Sequence, residues 1–139
     1  MNSKFGRKNK NRRQMLKNLA ISVLIYEKVT TTEAKAKNVR PLIEYAIKTA
    51  KINNLTNRRA LLAYFLHNEN VVEKLLKDLG PRFKDTTSGY TRLFKNKPRV
   101  GDGANTVTII LSKSKFINIE EPKKEISAPK KIVNATKEK

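Results

Sequence analysis

The sequence predicts an α+β domain of two layers, running helix, strand, several helices, then a β-hairpin, with a small mixed sheet of about three strands. Three observations carry this. Apolar residues recur at helical spacing in several segments between residues 11 and 80. A short β-branched run, Val29-Thr30-Thr31-Thr32, interrupts that pattern early. Beyond Gly80-Pro81 two strand-like runs flank a loop that contains Gly101 and Gly103.

Residues 1–10 read as an extended basic arm. In 11–26, Leu16, Leu19, Ala20, Val23 and Leu24 fall on one helical face. The first turn of that helix carries Arg12 and Arg13, where the helix dipole disfavours cations. Either an anion such as a phosphate sits nearby, or the helix starts later, near Gln14. Val29–Thr32 is too short for a helix and reads as a single strand that joins the late hairpin. Thr30 and Glu33 match a capping box, with Thr32 the competing N-cap. The next helix runs to about Lys51 and buries Val39, Ile43, Ala46, Ile47 and Ala50. Pro41 either kinks it or divides it near Arg40.

Asn53-Asn54-Leu55-Thr56-Asn57 is a cap-rich break. A short helix follows through Leu66, burying some of Leu61, Leu62, Phe65 and Leu66. Asn70 and Glu73 offer another cap, and Val72, Leu75, Leu76 and Leu79 form a stripe ended by Gly80-Pro81. Residues 90–95 and 106–111 read as the hairpin strands, with Val107, Ile109 and Leu111 on the core side. The domain therefore spans 1–115. Residues 116–139, with Pro122, Pro129 and mixed Lys and Glu, form a low-complexity tail unsuited to a packed core.

Charge points to the partner. The formal net charge is +19 over 139 residues, and the first acid is Glu27. Lys4, Arg7, Lys8, Lys10, Arg12, Arg13 and Lys17 precede it with nothing to neutralise them. A nucleic-acid backbone supplies the counter-charge, and binding it releases condensed counterions. The chain has no cysteine, which excludes disulfides and thiolate metal sites. No apolar run approaches the roughly 20 residues of a membrane span. The run Leu19–Tyr26 after a basic start loosely resembles a secretory signal. Lys17 and Asn18 interrupt it, however, and no small-residue cleavage site follows. The start is also poor in serine for a transit peptide and reads as mature structure.

Catalytic chemistry finds little support. The one histidine, His67, sits at a helix end, where a polar or capping role is the ordinary one. No nucleophile elbow surrounds any serine, and Gly101-Asp102-Gly103 reads as a turn rather than a phosphate cradle. The carboxylates are scattered. We expect no enzyme activity, cofactor, metal or small-molecule substrate, and no membrane partner.

Binding fits better. Beyond the arm, basic residues recur at Lys35, Lys37, Arg40, Arg58, Arg59, Arg82, Arg92, Lys95, Lys97 and Arg99. Phe5, Phe83, Tyr90 and Phe94 are interleaved with them; for Tyr90 and Phe94 core packing is the preferred reading. Any one lysine is an ordinary surface charge, but too few acids lie among them to absorb the set. No helix-turn-helix, zinc finger or RNA-recognition-motif signature is visible. A basic arm on a small core suits folded RNA, and a nucleoid-type DNA-binding protein is the alternative.

Three hairpin blocks, Leu79-Gly80-Pro81-Arg82-Phe83, Ser88-Gly89-Tyr90-Thr91-Arg92-Leu93 and Arg99-Val100-Gly101-Asp102-Gly103-Ala104, resemble the bacterial large-subunit ribosomal protein family seventeen. So do Asn11–Leu19 and Thr31–Lys37. The resemblance covers about residues 4–112, with the blocks in the family's order and spacing. It implies a structural constituent of the bacterial large subunit, in the cytoplasmic ribosome, bound to large-subunit ribosomal RNA near the exit-tunnel side. It also implies contact with neighbouring ribosomal proteins, including protein thirty-two of that subunit. By position, Arg7, Arg12, Arg13, Lys17, Lys35, Arg82, Arg92 and Arg99 carry over as RNA contacts. The chain departs from the family pattern at Asn11-Arg12, Tyr26-Glu27, Ser88-Gly89 and Asn105.

Overall fold

In the computed structural model, which describes residues 3–114, helix α1 spans Asn9–Tyr26. It buries Ala20, Val23 and Leu24, and Leu16 and Leu19 pack against the same core. The helix begins ahead of residue 11 because the ladder already closes at Arg12, whose N–H bonds the Lys8 carbonyl at 3.0 Å. That removes the reading with a start near Gln14. The preceding arm is not simply extended. It reverses at Phe5 and Gly6, both at positive φ, and Asn38 Nδ2 donates to Ser3 Oγ at 3.5 Å. The expected 116–139 tail lies outside the described residues.

Glu27 ends α1 in the left-handed conformation (φ 58°), with its N–H on the Val23 carbonyl at 2.8 Å. Strand β1, Lys28–Thr32, follows directly, and Thr32 is the N-cap of α2, Glu33–Ala50. The capping box does not form. Thr30 Oγ1 instead shares a 2.9 Å hydrogen bond with Thr108 Oγ1 across the sheet. The Glu33 N–H bonds the Asn105 carbonyl at 3.0 Å. Helix α2 is continuous through Pro41, which lies on the exposed side, and its buried face carries the five expected residues plus Ala36.

Asn54 caps α3, Leu55–Tyr64, by accepting from the Asn57 N–H at 2.7 Å. The helix stops two residues before the expected Leu66. Leu66 and His67 both adopt positive φ, which breaks the ladder and leaves Leu66 exposed. Asn68, not Asn70, caps α4, Glu69–Lys74, through the Val71 N–H.

The expected stop at Gly80-Pro81 does not occur either. Helix α4 continues through a π-helical segment, Leu75–Leu79, into α5, Gly80–Arg82. The Gly80 N–H reaches back five residues to the Leu75 carbonyl. This wider turn shifts the ladder just where Pro81, lacking an N–H, would oppose the Lys77 carbonyl. Gly80 is helical (φ −55°), so its need for glycine is steric: an added Cβ would stand 2.6 Å from the Ala50 carbonyl oxygen of α2.

Strands β2, Thr91–Lys95, and β3, Thr106–Leu111, complete a sheet in the order β1-β3-β2. Both pairings are antiparallel, which corrects the mixed sheet expected from sequence. Strands β1 and β2 point the same way, but β3 lies between them, so no parallel pair forms. Val107, Ile109 and Leu111 face the helices and join the core, as expected. Helix α2 lies on the sheet's inner face and touches α1, α3, the π segment and α5. The outer face carries Lys28, Thr30 and Thr32 of β1, Arg92 and Phe94 of β2, and Thr106, Thr108 and Ile110 of β3.

Gly80→Ala should lower stability by about 1–3 kcal/mol, because backbone on both sides resists the extra methyl. Urea unfolding would show it as a lower midpoint with an unchanged slope. An unchanged midpoint would mean that α2 and α5 separate freely.

Candidate nucleic-acid interface

The expected contact residues separate into an inward group and an outward one. Arg82 is inward. Its side chain is 15% exposed, with one guanidinium nitrogen 2.9 Å from Glu27 Oε2 and the other 2.7 and 2.5 Å from the two Asp78 oxygens. It also donates to the Lys113 carbonyl at 3.3 Å. Burial disfavours its charge, but the hydrogen bonds to Asp78 and Glu27 outweigh that and raise its pKa. The Glu27 side chain is 4% exposed and also meets Lys74 Nζ at 3.2 Å. Arg82 is therefore an internal brace, with its guanidinium committed to Glu27 and Asp78.

The N-terminal set is outward. Lys4, Arg7, Lys8, Lys10 and Arg13 are exposed, and Arg12 and Lys17 are half-buried. Lys8 gives α1 no side-chain cap, and the first turn holds no acid. Arg12 donates to Asn9 Oδ1 at 3.3 Å, and Arg7 reaches Met15 Sδ at 2.9 Å. Neither contact neutralises charge.

Two adjoining cavities flank the start of α1. One, of about 510 Å³, is lined by Arg12, Arg13, Lys17, Asn38, Leu42 and Tyr64 among others. The other, of about 420 Å³, takes in Lys10, Arg13, Lys17 and Leu66. A third, of about 630 Å³, brings Lys37 and Asn38 of α2 together with Ala104 and Asn105 of the β2–β3 loop. Ser3 and Asn38 line both this one and the first, so the arm, α2 and the loop border a continuous concave surface.

The remaining residues differ in how free their charge is. Lys37 pairs with Glu33 at 2.7 Å and Arg40 with Glu44 at 2.9 Å, each one turn along α2. The Lys37 hydrogen bond lowers the Glu33 pKa. Lys35 is half-buried near the start of α2, and Arg58 and Arg59 are exposed on α3, outside the cavities. Arg99 holds Asp102 at 2.5 Å in the β2–β3 loop. That hydrogen bond, with the Ala104 N–H, lowers the Asp102 pKa to about 2. Lys97 is exposed in the same loop. Arg92 and Lys95 project from opposite faces of β2, Arg92 outward and Lys95 toward Glu33.

Of the two aromatics expected in the core, Tyr90 is buried edge-on to Phe83, with centroids 5.4 Å apart. Phe94 is not: it is 46% exposed on the outer sheet face. The sequence reading missed Lys28 and Tyr64. Lys28 was legible from period two, since it shares a face with Thr30 and Thr32. Tyr64 was not, because its place beside Lys17 comes from the packing of α3 near α1. Among the described residues, no group of three or more His, Cys, Asp or Glu is placed to hold a metal ion, and no helix is long and apolar enough to cross a membrane.

The sequence model of the family described as Ribosomal protein L17 matches residues 15–112. A large ribosomal subunit protein bL17 from Caldanaerobacter subterraneus subsp. tengcongensis is 50% identical over 108 residues, covering 78% of this chain and 96% of the relative. The bL17 protein of Carboxydothermus hydrogenoformans is 47% identical over the same shares. That of an Exiguobacterium species is 41% identical over 114 residues, covering 78% of this chain and 97% of its own length.

Stability measurements on the RNA-free protein distinguish the two groups. Arg82→Ala should cost about 3–5 kcal/mol, because it strips a partner from the buried Glu27 carboxylate. Arg13→Ala should change stability by no more than about 0.5 kcal/mol, as for ordinary surface positions. Equal effects in urea unfolding would contradict the division.

Proposed function

The chain belongs to the ribosomal protein L17 family, and from that premise we propose that it binds and stabilises large-subunit ribosomal RNA through its N-terminal cations. It is a large-subunit ribosomal protein of the cytoplasmic ribosome, a structural constituent and not an enzyme. The observation that carries the RNA reading is the acid-free start of α1. Arg12, Arg13 and Lys17 border cavities that expose them to a ligand, and no carboxylate lines the two cavities at that helix.

The mechanism follows from charge. Phosphates take the place of the missing carboxylates, and each neutralised phosphate releases condensed counterions. Arginine adds forked hydrogen bonds to phosphate oxygens. Such contacts fix position without reading sequence. Lys97, Arg99 and Arg92 extend the basic surface to the hairpin side, so two RNA segments can be held by one rigid body. Placement near the exit-tunnel side, and contact with neighbouring proteins including large-subunit protein thirty-two, rest on the family resemblance.

Sucrose-gradient sedimentation tests the proposal. The chain should travel with the large subunit and dissociate steeply as salt rises. Replacing Arg7, Arg12 and Arg13 together by Gln should weaken incorporation and flatten the log–log salt slope for binding by about 2–3, while circular dichroism shows an intact fold. Loss of the wild-type chain in modest salt, or equal competition by duplex DNA, would overturn it; the latter would indicate a nucleoid-type protein.

A further inference from the structure

We propose that the cavity between the start of α1, the middle of α2 and the end of α3 receives one unstacked RNA nucleotide, its base on Tyr64 and its phosphate on Arg12, Arg13 and Lys17. This rests on the RNA-binding reading above and adds a defined pocket to it. The cavity's volume, about 510 Å³, lies in the range of small-ligand sites. Its apolar lining comes from Leu16, Leu42 and the Tyr64 ring, and its charged lining from the three cations, with no carboxylate.

The ring is held before any ligand arrives. Phe65 meets it edge-on at 5.1 Å between centroids, and Tyr45 lies tilted at 5.3 Å. Burial, and then Tyr45, raises the Tyr64 pKa, so the phenol is neutral at physiological pH and does not repel phosphate. Lys17 Nζ stands 5.1 Å over the ring centroid. An ammonium over an aromatic at a partly exposed site is held more weakly than a stacked base. When a nucleotide enters, the ammonium moves to the phosphate and the base takes the vacated ring face. The occupant is a nucleotide from a single-stranded loop or bulge, because a paired base offers no free face to stack.

The full-length chain would be titrated with a short labelled oligouridylate and with a fully paired RNA duplex of equal length. Tyr64→Leu should weaken oligouridylate binding about 5- to 100-fold without altering the salt slope. It should leave duplex binding unchanged, and Tyr64→Phe should restore wild-type affinity. Ultraviolet cross-linking of large subunits carrying the wild-type chain should place a nucleotide adduct on the peptide that bears Tyr64, a readout independent of how any variant folds. Wild-type oligouridylate affinity in Tyr64→Leu, equal loss for both RNAs in a folded variant, or no adduct on that peptide would overturn the pocket. If the triple arginine variant still loses ribosome binding, the pocket alone fails. If the wild-type chain does not bind ribosomal RNA, both readings fail.

Discussion

One buried carboxylate organises this fold. Glu27 stops α1 by turning left-handed, and its carbonyl then accepts the Leu111 N–H of β3 at 3.1 Å. Its carboxylate meets Lys74 at the end of α4 and Arg82 of α5. A single residue therefore joins the first helix, the central strand and the late helical segment. A carboxylate this deep is tolerable only with its cations in place, since removing water from an uncompensated charge costs several kcal/mol. Arg82 is pinned in turn by Asp78 and by the Lys113 carbonyl. The brace thus extends to the end of β3, and the helical layer cannot shift on the sheet without exposing it.

That brace also determines which cations remain for a partner. Acids are scarce here, twelve against 31 Lys and Arg, and their placement is uneven. Glu27 and Asp78 are committed inside, and Glu33, Glu44, Glu73 and Asp102 each hold one neighbouring cation. None stands among the first seventeen residues. The start of α1 is left with a positive surface, and no carboxylate lines the two cavities beside it. The same fold makes this surface concave, with α2 and α3 as its walls. On the proposed function, phosphate would satisfy that charge excess.

Much of this was legible in the sequence. The apolar stripes of α1 and α2, the strand at Val29–Thr32 and the core side of β3 followed from period alone, because burial on one face leaves a periodic trace. What failed was local chemistry with two acceptable outcomes. Gly80-Pro81 reads as a stop, yet a π turn carries the chain through, and the reason for glycine lies 30 residues away at the Ala50 carbonyl. Asn70 with Glu73 reads as the cap, yet the chain reverses at the positive φ of Leu66 and His67, and Asn68 caps the helix instead. The brace at Arg82 was not legible, because its partner Glu27 is 55 positions distant. Phe94 alternates correctly for a strand, yet its face of the sheet is the uncovered one. Within the site, the cationic arm was evident from composition, whereas the place of Tyr64 depends on how the helices pack.

The most direct test of the division between inner and outer cations is a cryo-electron-microscopy map of the large subunit containing this chain. The account predicts ribosomal RNA phosphates within hydrogen-bonding distance of Arg12, Arg13 and Lys17, with Arg82 still on Glu27 and Asp78. A map with the start of α1 in open solvent, or with Arg82 turned out to a phosphate and Glu27 left to Lys74 alone, would contradict it.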